Sequence, residues 1–187
     1  MVTTRTSGSG ASWPTFGDRI LRLSIFHFHK TSGHDAHNYL DQMVKNHHMK
    51  DVGRINQIET SLGRYINWCS TQNLRVADAA VNLAYELGFL ELRGMVSRVD
   101  MTTDGYRAVL LGSASKDWQN ELRMPLIQVA VASMYGRPAE RTEVGVPNLD
   151  GSRLATALYS RGQIARAERK FVALGRVLRR LERNART

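Results

Sequence analysis

The chain has 187 residues, of which 42% are hydrophobic and 23% charged, with one cysteine and a formal net charge of +9. This length and composition fit one domain with a substantial core plus appendages, and they exclude disorder throughout. A lone cysteine excludes an internal disulfide framework and a cysteine-cluster zinc site, and no apolar run reaches the roughly eighteen residues that a membrane span needs.

The charge is unevenly placed. From Arg153 to Thr187 ten arginines and lysines face only Glu168 and Glu182, so residues 1–152 are close to neutral. Such asymmetry predicts an acidic partner: nucleic acid, an anionic surface or an acidic protein.

Taken in order, residues 1–15 lack the apolar core of a signal peptide and are predicted to be a flexible tail. Residues 16–135 are expected to form a helical domain, 136–152 a linker and 153–187 a basic amphipathic helix. From Phe16 to Lys30 the apolar residues suit a helix early and a strand late. Ser32 or Asp35 can cap a helix carrying Tyr39, Leu40, Met43 and Val44. Ile55, Ile58, Leu62, Tyr65, Ile66 and Cys69 form the stripe of a clear amphipathic helix, with Cys69 as a buried thiol. A reducing, cytoplasmic setting fits a free cysteine.

Between Arg75 and Leu111, Val76, Ala80, Leu83, Ala84 and Leu87 recur at helical spacing, and Gly88 stands where a helix commonly stops. Phe89–Leu92 and Val96–Met101 read as two short strands around Arg93-Gly94. Thr102 or Thr103 can then cap a helix bearing Tyr106, Val109 and Leu110. This order, with YELGFLEL and VDMTTDGYRAVLL, resembles the second half of a winged helix-turn-helix domain over about residues 55–111. The resemblance implies that the Val76–Leu87 helix enters the major groove and the hairpin touches the backbone. That helix holds Asp78 and Glu86 and no lysine or arginine. Its candidate contacts are Asn82, with Arg75 at its start and Arg93 and Arg98 on the wing. Winged helices also serve as protein-interaction modules.

Beyond Leu111, Trp118 and Leu122 suggest a helical turn. Leu126–Tyr135 reads as a helix that is apolar nearly all round, restarted by Pro125 and stopped by Gly136 and Pro138. In the last helix, from about Arg153 to Arg183, Ile164, Ala167, Phe171, Leu174, Leu178 and Leu181 make a heptad stripe of the coiled-coil kind. Arg169, Arg176 and Arg183 recur every seven positions on the other side, with Arg166 and Arg180 beside them. Arg161, Lys170 and Arg179 complete the candidate phosphate-binding set, since the arginine fork suits phosphate. The stripe either docks on the body or is a dimer seam.

All six histidines lie between His27 and His48. They could supply metal ligands, although scattered surface histidines are the plainer reading. No Gly-rich phosphate loop, nucleophile elbow or HExxH motif is present, so neither an enzyme nor a cofactor is expected.

The expected fold is mainly α: a winged-helix-like core with a small β-hairpin, a helix, a linker and a long basic C-terminal helix. The expected function is a non-enzymatic, cytoplasmic nucleic-acid-binding protein, a DNA-binding regulator or accessory factor. The alternative is a small helical structural subunit of a multi-subunit, RNA-guided type of nucleoprotein complex. The partners are then DNA or RNA, together with further copies or other subunits, and no membrane.

Overall fold

Three helices open the chain in the computed structural model, which describes residues 19–31, 35–71, 74–111, 117–147 and 154–185. The predicted tail 1–15, His34, Arg153 and Arg186 lie outside the described residues. Helix α1 (Arg19–Lys30) resolves the ambiguous stretch: Ile20, Leu21, Ile25 and Phe26 share a buried face, and Ser24 donates its hydroxyl back to the Ile20 carbonyl at 3.0 Å. Helix α2 (Ala36–Asn46) and helix α3 (Val52–Thr71) follow, and the Asp51 carboxylate accepts the Arg54 N–H at 3.0 Å where α3 begins. Leu21, Ile25, Leu40, Leu62 and Tyr65 bury together between the three helices.

The stretch Arg75–Leu111 folds differently from the winged-helix expectation. Strands β1 (Arg75–Leu87) and β2 (Leu90–Met101) form one long antiparallel hairpin, in register from Leu87↔Leu90 to Arg75↔Met101 with a shift between Val76 and Asp78. The expected Val76–Leu87 recognition helix is therefore a strand. Gly88 is not a helix stop but the first residue of the two-residue hairpin turn, with φ 62°. The two expected short strands are the single strand β2. The helix expected after Thr102 is β3 (Tyr106–Val109), antiparallel to β2.

A one-turn 3-10 helix at Trp118–Asn120 leads into helix α4 (Arg123–Met134), where Pro125 sits harmlessly in the first turn. Helix α4 is the crossover that a parallel pair requires, because β4 (Thr142–Pro147) runs parallel to β3. Val144 and Val146 of β4 point into the core, so residues expected as a linker form an inner strand. Strand β5 (Leu154–Ala157) closes the five-stranded mixed sheet, ordered β1-β2-β3-β4-β5. The small-hairpin, mainly α architecture is corrected accordingly: helices cover both faces of a large sheet. The α1–α3 layer meets Val109 and Leu111. On the other face Met124, Ile127 and Val131 of α4 meet Val81, Leu83, Val96, Val99 and Ala108.

Helix α5 (Arg161–Asn184) starts later than the expected Arg153. Gln128 of α4, fully buried, donates to the carbonyls of Ala139 (2.9 Å) and Tyr159 (2.8 Å) and accepts the Tyr159 N–H at 2.7 Å. This clamp holds the chain just ahead of α5 and sets the direction in which the helix leaves the body. No described helix is long and apolar enough to cross a membrane.

Candidate nucleic-acid interface

The sequence Ser160-Arg161-Gly162-Gln163 builds a reciprocal cap at the start of α5. Ser160 Oγ accepts the Gln163 N–H at 3.3 Å, and Gln163 Oε1 accepts the Ser160 N–H at 2.9 Å. Ile164 and Ala167 then anchor the first turns in the core. Further along, the helix lies on the β1–β2 hairpin. Tyr85 donates its hydroxyl to Glu168 Oε1 at 2.9 Å, and Gly175 rests against Leu90. Arg179 donates to the Phe89 carbonyl at 3.2 Å, its guanidinium 4.3 Å from the Phe89 ring centroid.

This packing decides which arginines are presented. At 100° per residue, Ile164, Glu168, Gly175 and Arg179 face the hairpin, and Arg169, Arg176, Arg180 and Arg183 fall on a flank about a quarter-turn round from them, all exposed. Among the described residues, none of Arg166, Arg169, Lys170, Arg176 and Arg180 enters an ion pair. Among the described residues Arg183 donates to the Arg179 carbonyl, at 3.4 Å, and enters no ion pair. Arg161 is paired with Glu140, so its charge is partly offset.

The structure separates the remaining candidates from this face. Arg75 and Asn82 are exposed on β1, and Arg93 is exposed on β2 in an ion pair with Glu91 at 2.7 Å. Ala84 pairs with Arg93 and alternates with Tyr85, which places Asn82 and Arg93 on the hairpin face turned away from α5.

Arg98 is removed from the surface altogether. Fully buried on β2, it donates to both carboxylate oxygens of Asp100, Nε–Oδ1 2.7 Å and Nη2–Oδ2 3.0 Å. It also donates to the Tyr65 hydroxyl and, at 3.6 Å, towards Cys69 Sγ, and it lies 5.0 Å from the Trp68 ring centroid. Desolvation works against its charge, but the Tyr65 oxygen and the Asp100 carboxylate outweigh that and hold it above the usual arginine range. Burial pushes the Tyr65 phenol well up, and it pushes the Cys69 thiol up against the opposing Arg98 charge. Cys69 is thus a protonated, packed thiol rather than a nucleophile. His29 shares a 2.8 Å hydrogen bond with Tyr65, and burial, then the Arg98 charge, lowers its pKa to about 4. This network joins α1 and α3 to the sheet, and its polar residues gave no sequence pattern by which to find it.

The histidines disperse. His27 stacks on Tyr39 with centroids 4.2 Å apart, His29 joins the buried network, and His37, His47 and His48 are exposed. Among the described residues, no group of three or more His, Cys, Asp or Glu converges on a point that could hold a metal ion. No protein-family model matches the chain, and no curated protein matches it.

Proposed function

We propose that the protein is a non-enzymatic nucleic-acid-binding protein that holds the phosphate backbone with an exposed flank of α5. The observation that carries this reading is the exposed arginine line Arg169, Arg176, Arg180 and Arg183, kept clear of carboxylates by the way α5 docks on the hairpin. From Arg169 to Arg183 the line extends about 21 Å, equal to about six base steps of a duplex strand. Planar guanidinium forks in such a row suit phosphate oxygens. Contacts of this kind position a protein without reading sequence, so binding without strong sequence preference is expected.

The second reading, a structural subunit of a nucleoprotein assembly, is favoured by Leu174, Val177, Leu178 and Leu181, all more than half exposed beside the arginine line. The two readings share the phosphate grip and differ in whether the protein works alone.

The test is fluorescence anisotropy with labelled duplex DNA and single-stranded RNA, comparing the native chain with Arg176→Ala/Arg180→Ala. Removing residues 153–187 instead would take β5, Tyr159 and Ile164 from the core, so point substitutions are the sound comparison. Binding that the double substitution weakens by at least about tenfold supports the proposal. Absence of binding to either ligand at low salt contradicts it.

A further inference from the structure

A second surface of α5 lies apart from both the hairpin contact and the arginine line. Arg166, Lys170, Leu174 and Val177 on α5, with Leu122 and Pro125 at the start of α4, line an open groove of about 720 Å³. The apolar line continues beyond it: Leu174, Val177, Leu178 and Leu181 are 53, 53, 60 and 58% exposed. At 100° per residue these four occupy about one third of the helix circumference, between the packed face and the arginine face. Scattered exposed leucines are ordinary, whereas a contiguous row running out of a groove marks an interaction surface. From Gln163 to Leu181 it measures about 27 Å, room for a helical segment of about five turns.

Charge selects the occupant. Helix α5 carries eight cationic side chains against Glu168 and Glu182, a net of +6, and Glu168 is already engaged by Tyr85. A second copy would bring +6 against +6 while water is being removed from between them, and that opposes self-pairing. An acidic partner gains from the same field.

We infer that this surface binds an acidic amphipathic helix of a partner protein. Its leucine-type side chains enter the groove and cover the stripe, and its carboxylates face Arg166 and Lys170. Because the surface and the arginine line lie on different sides of α5, the inference stands or falls separately from the phosphate-binding reading.

The experiment uses the full chain and a fluorescent peptide of about three heptads, with leucine at the a and d positions and glutamate on the flanks. One control keeps the leucines and replaces glutamate by lysine, and another scrambles the order. The acidic peptide is expected to bind in the micromolar range, on the order of 10 μM, and to gain helicity. Leu178→Ser/Leu181→Ser, checked for an unchanged circular dichroism spectrum, weakens peptide binding at least about tenfold. The same variant holds nucleic-acid binding within about twofold, since it leaves every arginine in place. Arg166→Gln/Lys170→Gln weakens the peptide too, most at low salt. Equal binding of the lysine or scrambled peptide, or no binding of the acidic one, overturns the inference. So does a dimer in sedimentation that the serine substitutions abolish, which would assign the stripe to a second copy.

Discussion

Gly175 of α5 lies so close to Leu90 of β2 that a Cβ on the glycine would overlap Leu90 Cδ1. That close approach lays the second half of α5 along the hairpin and turns Arg176, Arg180 and Arg183 outward. Gly175→Val is therefore expected to lift this half of the helix and destabilise the fold by about 1–3 kcal/mol in urea denaturation. Adding Leu90→Ala removes the colliding side chain and should recover part of the loss, a coupling that independent sites would not display.

The buried Arg98–Asp100 pair makes a sharper prediction. Asp100→Asn leaves an uncompensated guanidinium inside the protein, at an expected cost of about 3–5 kcal/mol. Replacing both partners by apolar residues, as in Arg98→Met/Asp100→Leu, should cost much less than the single change. Thermal or urea unfolding of the native chain and the two variants checks the ordering. An Asp100→Asn protein as stable as the native chain would mean that the pair is not buried as described.

His29 gives a pH dependence with a definite sign. Its folded pKa of about 4 lies below the ordinary 6.5, so protonation favours the unfolded chain. The stability gained from the neutral ring is complete above pH 6.5 and is lost as pH falls from 6.5 towards 4. The loss attributable to this group is of the order of 2–3 kcal/mol. His29→Gln cannot titrate and should flatten the profile in this window, measured as urea midpoints from pH 7 to pH 4.5. A variant whose profile parallels that of the native chain would remove His29 as the cause.

At the β2–β3 turn, Thr102 donates its N–H to the Gly105 carbonyl and accepts the Gly105 N–H on its hydroxyl, at 2.9 and 3.0 Å. A Cβ at Gly105 would overlap the Arg141 carbonyl oxygen, which is backbone and cannot swing aside. Gly105→Ala is thus expected to destabilise by about 1–3 kcal/mol, read from thermal unfolding, although the turn itself is solvent-facing.

The helices were legible where one period stood alone. Ile58, Leu62, Tyr65 and Cys69 mark α3 with a single helical stripe, and the nearly continuous apolar run of α4 is bounded by Pro125 and Gly136. In β1 two periods coexist: Val76, Ala80, Leu83 and Leu87 fit a helix, whereas Ala79, Val81, Leu83, Tyr85 and Leu87 fit a strand. Alanine-rich composition tips local propensity towards helix, and long-range pairing with β2 overrides it. Strand β4 was hidden because turn-type residues interrupt and follow its two core valines, Gly145 between Val144 and Val146 and Pro147 after them. Of the candidate site, the arginine line follows directly from heptad spacing. The loss of Arg98 to the core does not, because its burial depends on Tyr65 and Asp100 meeting it in space. The start of α5 expected at Arg153 passes over Ser160 and Gln163, whose capping-box spacing is the sequence signal that places it at Arg161.

Salt dependence of nucleic-acid binding is the decisive test of the α5 phosphate grip. Four arginines on phosphates predict that log K falls with log salt at a slope of about −3 to −4 on duplex DNA. Arg176→Ala/Arg180→Ala should reduce the slope by about 2, with α-helical content unchanged. A slope that the double substitution leaves untouched, or no binding even at low salt, would contradict the phosphate grip of α5.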